Sequence, residues 1–457
     1  MLQPDAAGID VGAAEIYVAV PDDRSPEPVQ RFSAFLPVRC TQTGTEDLHS
    51  AAKWLKSCGI KSIAMESTGV YWIPVFQILE DYGLEVFLVN ARHVKNVPGR
   101  KTDVQDCQWL QYLHSVGLLS GSFRPAREIC AVRSLLRHRD NMVKTAARHV
   151  QHMQKALTQM NLQIHHVISD ITGVTGMAIM NAILIGEHDP GKLAELRDRR
   201  IKADIKTITK SLVGDYRSEH LFTLKQALQS YRHYQEMIRD CDIEIEKHLN
   251  EFDSRIDTEQ NGLPPSSSGK KKPGHNEPSF DLRTHMHRIF GTDLTEIDGI
   301  NVITTHVLFT EVGPVCVQRT GRPDLSKFPT ASRFCSWLGL CPNNKISGGR
   351  ILSSQTTPVA NRAAQALRIA AQSLWNSQSY LGQYYRRMRA RHGAPKAITA
   401  TAHKLARLVY HLIKTQKPFD ETVFAEQEKD NKRRLENKLR TQAKFLGFQL
   451  VPVNTQS

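Results

Sequence analysis

Five side chains in this sequence have the types and surroundings for phosphoryl chemistry. Asp10 lies in GIDVG, Glu66 closes the apolar run KSIAME, and Asp103 and Asp106 stand three apart in KTDVQD. If that last segment is helical, its two carboxylates share a face and reach the same ion. Mg²⁺ prefers oxygen ligands, and carboxylates converging from separate elements at sheet ends supply them. Two such ions about 4 Å apart can activate an attacking oxygen and stabilise a leaving one. The fifth group is Ser347 in KISGGR. A serine hydroxyl is a weak nucleophile until a base or a metal activates it. Gly348 and Gly349 would let a phosphate approach closely, and Arg350 could offset developing charge. Ser353 and Ser354 are rivals within the same loop.

Each feature also has a plainer use. A DxxD on a helix is usually a solvated face, a strand-terminal Glu is often a surface residue, and SGG alone reads as an ordinary turn. An Asp in a first-strand GIDVG also opens sugar kinases and actin-like ATPases, but no second glycine-rich phosphate loop of the DxGG type is found.

The elements that must position these groups follow from periodicity. Gly8 to Val20 reads as a strand, a glycine turn and a second strand. A helix around Ser50 to Cys58, a strand Lys61 to Met65, a helix around Val75 to Tyr82 and a strand Glu85 to Asn90 complete an α/β domain. After Pro125, Ile129, Val132, Leu136, Val143, Ala146, Val150, Met153, Leu157 and Met160 recur in three- and four-residue steps, with Arg139 the one missed slot. That seam fits a coiled coil or a long helix packed within its own chain. A second helix from about His220 to Leu249 could pair with it as an antiparallel hairpin. The polar run DSRIDTEQNGLPPSSSGKKKPGHNEPS cannot bury a core and reads as a linker. The resulting division is an α/β domain at 1–125, a helical or coiled-coil domain at 126–252, a flexible linker at 253–285, an α-rich serine-bearing domain at 286–418 and a charged tail at 419–457.

The chain has 457 residues and a formal charge of +14, which favours a polyanionic partner. Basic clusters that could meet phosphate are Lys95 with Arg100 and Lys101, Arg137 with Arg139, Lys270 to Lys272, and Arg386, Arg387, Arg389 and Arg391. Tyr384 and Tyr385 add possible base stacking, although core packing is the commoner use of such residues. The eight cysteines show no CxxC pair or zinc spacing and read as reduced thiols. No stretch approaches the ~20 apolar residues of a membrane span, so a soluble, cytoplasmic protein is expected.

GIDVG, AMESTGVYW and VNARHVKNVPGRKTDVQDCQWL resemble the RuvC-like domain of the insertion-sequence one-ten family of DEDD transposases, bridge-RNA-guided recombinases. The likeness continues through DITGVTGMAIMNAILIGEHDPGKLAEL, EIDGINVITTHVLFTEVG, FPTASRFCSWLGLCPNNKISGGR and ANRAAQALRIAA. It implies an RNase H-like fold with Asp10, Glu66, Asp103 and Asp106 as Mg²⁺ ligands. It implies that Ser347 attacks a DNA phosphate to form a phosphoserine, after which the strand is rejoined to a new partner. It further implies a structured guide RNA that pairs with target and donor DNA, and a homo-tetramer whose active sites combine domains from different subunits. Two positions depart from the family pattern: PGIG reads Asp298, Gly299, Ile300, Asn301 here, and Ala360 replaces the glycine before Asn361. From the residues alone, a hydrolytic nuclease or junction resolvase and a non-catalytic nucleic-acid-binding protein remain open.

Overall fold

The computed structural model describes residues 2–33, 44–67, 69–89, 102–119, 121–256, 262–263, 274, 276–313 and 328–449. The chain forms two compact units, Met1–Arg124 and Pro125–Ser457.

The first unit is built on a five-stranded sheet of order β3-β2-β1-β4-β5, with β1 at Ala6–Val11, β2 at Glu15–Ala19, β3 at Val29–Ser33, β4 at Ser62–Glu66 and β5 at Glu85–Val89. The first three strands pair antiparallel, whereas β1, β4 and β5 run parallel. Side chains alternate across a strand. Ala7, Ile9, Val11, Ile63 and Met65 therefore join the core shared with helices α1 (Gly44–Ser57) and α2 (Trp72–Asp81). Gly8, Asp10, Ser62 and Glu66 take the opposite face, which is covered by α3 (Asp103–Ser115). Gly8 is required there: a Cβ would lie 2.2 Å from the Cys107 carbonyl oxygen and 2.3 Å from the Gln111 nitrogen. His114, buried on α3, meets the Ser62 hydroxyl at 3.0 Å.

The second unit begins with α4 (Arg127–Gln159), which runs alongside α5 (Ser218–Asn250). Pairing of Arg139 with Asp242 and of His149 with Tyr234 makes the two antiparallel. Ala146, Met153 and Leu157 pack against Leu224, Leu228 and Tyr231, so this part of the seam is satisfied within the chain. Short helices between Ile164 and Ser211 complete that core.

Arg139, the missed slot, is a buried ion pair. Its Nε donates to Asp242 at 2.5 Å, its Nη1 donates to the Asn276 carbonyl at 3.1 Å, and Asp242 also accepts from the Ser279 amide at 3.0 Å. The end of the stretch read as a linker is thus tied to the helix pair, and α6 (Leu282–Phe290) starts inside it. Asp242→Asn leaves the Arg139 charge enclosed and uncompensated, so a loss of about 3–5 kcal/mol is expected in chemical denaturation. A loss near that of a surface pair, below about 1 kcal/mol, would contradict this.

The rest of the unit surrounds α11 (Ala394–Thr415), which packs against α8 (Ala331–Trp337), α9 (Arg362–Ser373) and α10 (Tyr380–His392). Helix α7 (Val302–Val312) contacts both α9 and α4. Between α8 and α9 stands a two-stranded ribbon, β6 (Lys345–Ser347) and β7 (Arg350–Ser353). A terminal helix, α12 (Ala425–Phe445), lies within the segment read as a charged tail. No described helix is long and apolar enough to cross a membrane.

Candidate active site

Strand alternation and helix capping bring the four acidic residues together. Asp10 and Glu66 lie one step beyond the paired residues Ile9 and Met65 of two adjacent parallel strands, on the face that α3 covers. Thr102 caps α3 by accepting from the Gln105 amide at 3.3 Å, which sets Asp103 and Asp106 in the first turn. Asp103 is exposed, while Asp10, Glu66 and Asp106 are half-buried.

The electrostatics register this gathering. The pKa of Asp10 is pushed up to about 6, first by burial and then by the charges of Asp103, Asp106 and Glu66, against a smaller opposing effect of the Val11 backbone hydrogen bond. Burial and Asp10 push the neighbouring Cys107 thiol up to about 12, so it stays protonated and is a poor nucleophile. Concentrated negative charge on oxygen donors suits a hard divalent cation. As placed, however, no three His, Cys, Asp or Glu side chains among the described residues converge closely enough to hold an ion. The donor chemistry of these four carboxylates fits Mg²⁺.

Ser347 lies in the second unit, at the end of β6. It is exposed and pairs across the ribbon with Arg350. Gly348 (φ +54°) and Gly349 (φ +75°) form the tip, in the left-handed region that favours glycine. Hydrogen bonds join the segments at its base. Asn343 N donates to the Gln355 carbonyl at 3.1 Å, Pro342 bridges to Thr356, and Arg368 donates to the Gly339 carbonyl at 3.2 Å. Ser353 is half-buried, pairs with Lys345 and accepts from the Gln355 amide at 3.3 Å; Ser354 follows it as an exposed residue.

The unusual turn at Asp298 has a local role. Its carboxylate accepts from the hydroxyls of Ser377 and Ser379, the latter at 2.7 Å, and so ties the turn to the start of α10. Asn301 caps α7 by accepting from the Thr304 amide at 2.8 Å. Gly299 (φ +89°) cannot carry a side chain, because a Cβ would lie 2.9 Å from the Ala370 carbonyl oxygen.

The basic clusters separate by what holds them. Lys95, Arg100, Lys101 and Lys270 to Lys272 lie outside the described residues. Arg137 pairs with Glu311 at 2.8 Å and Arg139 is buried, so neither presents a free cation. Arg386 donates to the Trp375 and Ser377 carbonyls at 3.0 and 2.6 Å and holds the turn before α10. Exposed Arg389 lies over the Trp375 ring at 3.9 Å, and Arg387 lies 5.8 Å from the Tyr380 ring. Tyr385 is buried, whereas Tyr384 remains half-buried.

A group the sequence does not reveal stands beside them. Lys404 donates to the Tyr380 hydroxyl at 2.8 Å and lies 4.2, 4.8 and 4.9 Å from the rings of Tyr380, Tyr384 and Phe424. Burial, then Arg387 and Arg407, lower its pKa to about 8. Positive charge accumulated here suits a polyanion. Its parts come from two helices and the segment before α12, so no sequence spacing marks it.

Two family models match this chain. A transposase model for the DEDD domain of IS110 elements matches residues 7–162, and the model Transposase IS116/IS110/IS902 family matches residues 291–386. The first span contains all four carboxylates, and the second contains the Asp298 turn and the ribbon with Ser347. No curated protein matches.

Proposed function

The chain belongs to the IS110 family of transposases, and from that premise we propose an RNA-guided DNA recombinase that cuts and rejoins strands through a phosphoserine on Ser347. The observation that carries this reading is the gathering of Asp10, Glu66, Asp103 and Asp106 on one face of a mixed sheet, inside the matched DEDD segment. The strand order agrees with an RNase H-like fold.

In the proposed reaction the Ser347 oxygen bonds to a backbone phosphorus. The bond from that phosphorus to one deoxyribose oxygen breaks, and the freed oxygen leaves as a hydroxyl after taking up a proton. The serine proton passes to solvent or a nearby base. Arg350, paired across the ribbon, offsets charge on the phosphoryl oxygens. Rejoining reverses these steps with a hydroxyl from a different strand. Asp10, Glu66, Asp103 and Asp106 are the residues that would hold Mg²⁺, which when bound supplies Lewis-acid stabilisation of phosphoryl and leaving oxygens.

Target and donor DNA, a structured guide RNA and a homo-tetramer are the proposed partners. Lys404, Arg387 and Arg389 support a polyanion on the second unit. The carboxylates lie in the unit Met1–Arg124 and the serine in the unit Pro125–Ser457. Sequencing the nucleic acid that copurifies with the full chain tests RNA guidance. One structured RNA is expected, and a mixture of unrelated fragments would overturn it.

A further inference from the structure

We propose that the β6–β7 ribbon enters the DNA duplex at the cut, with Ser347 and Arg350 toward the scissile phosphate and Ile346 and Ile351 as an aliphatic wedge that unstacks the adjoining base step. This rests on Ser347 being the nucleophile.

Residues directly opposite in an antiparallel pair project to the same face, and the next pair projects to the other. Ser347 faces Arg350 and Ile346 faces Ile351, so the ribbon has one polar face and one aliphatic face. The aliphatic face is bare, with Ile346 63% and Ile351 62% exposed. Register shifts at Lys345/Ile346, leaving Leu352 as the extra residue, 70% exposed. An isolated two-stranded ribbon is marginally stable, and one that exposes its branched aliphatics gains most from a surface that covers them.

The nucleophile identifies that surface. A hydroxyl that bonds to phosphorus brings its ribbon into van der Waals range of the flanking sugars and bases. From Pro342 to Asn361 there is no acidic residue, while Lys345 and Arg350 flank the tip. That charge pattern suits DNA better than an apolar protein face. At Gly348 and Gly349 a Cβ would meet nothing within 4 Å, so the tip is slender. Apolar side chains between base steps are an established way of opening and kinking a duplex, and a kink redirects the backbone at the adjoining phosphate.

The test uses full-length Ser347→Ala protein and a duplex spanning the cut, with 2-aminopurine at the adjoining base. Fluorescence is expected to rise on binding. Adding Ile346→Ser and Ile351→Ser should abolish that rise while binding stays within about threefold, because phosphate contacts carry most of the affinity. With Ser347 intact, the double serine variant should exchange strands about tenfold more slowly, and a mismatch at the adjoining step should restore the rate, since the opening is then already made. No rise with Ser347→Ala, a rise that survives the serine changes, or failure of the mismatch to rescue would each overturn the wedge. So would loss of self-association instead of base opening, which would assign the aliphatic face to a second copy of the chain. Strand exchange by Ser347→Ala would instead overturn the nucleophile, an outcome read independently of fluorescence.

Discussion

Asp10→Asn is expected to abolish strand exchange and at the same time raise the melting temperature of the metal-free protein at neutral pH. Both effects come from the same charge. The folded-state pKa of Asp10 is raised from 3.8 to about 6, so in this range the folded chain holds a proton that the unfolded chain releases. Stability from that proton is fully present below the unfolded value and is lost as pH rises through the folded one. At neutral pH the ionised group is half-buried among three like charges, and an amide removes the repulsion. A gain of a few degrees is expected, shrinking to nothing at acidic pH, where Asp10 is itself neutral. An amide also binds Mg²⁺ poorly, so added Mg²⁺ should raise the melting temperature of the native protein more than that of the variant. Glu66→Gln, Asp103→Asn and Asp106→Asn should likewise abolish strand exchange while leaving the protein folded. Melting of Asp10→Asn below the native protein would contradict the electrostatic account. Full activity in any two of the four amide variants would remove the assignment of these carboxylates.

Much of the first unit was legible because strand parity is a local property. The alternation in GIDVG and KSIAME already fixes which face Asp10 and Glu66 share, provided the two strands are neighbours, and they are. The capped DxxD then needs only a helix crossing that face, which Gly8 permits by lacking a side chain. Strand parity and capping do not set the distances between the carboxylates, and among the described residues no three such side chains lie close enough together to hold an ion.

The second unit yields less because its features join distant segments. Arg139 reads as a flaw in an apolar seam until Asp242 is found opposite, and the pair in turn secures Ser279 and Asn276 from a stretch whose composition suggests only a linker. The arginines of α10 look alike in sequence, yet Arg386 caps a turn while Arg389 stacks on Trp375. Lys404 carries no local signal, because the rings that surround it come from other elements.

Ser347→Ala is expected to retain Mg²⁺ and nucleic-acid binding yet lose strand exchange completely, because it removes only the attacking oxygen. The side chain is exposed at a ribbon tip, so the change should leave melting behaviour unaltered. Ser353 is half-buried and accepts a hydrogen bond from the Gln355 amide, and Ser353→Ala should keep most activity, as should Ser354→Ala. With native protein, a DNA substrate whose short leaving strand diffuses away should trap a covalent protein–DNA species, since the departed hydroxyl can no longer reverse the first step. Digestion and mass spectrometry should place the phosphate on Ser347. Efficient breakage with no adduct would make water the nucleophile and the enzyme a hydrolytic nuclease. An adduct on Ser353 or Ser354 would keep the serine mechanism but move it from the end of β6 to the last residue of β7 or the residue after it.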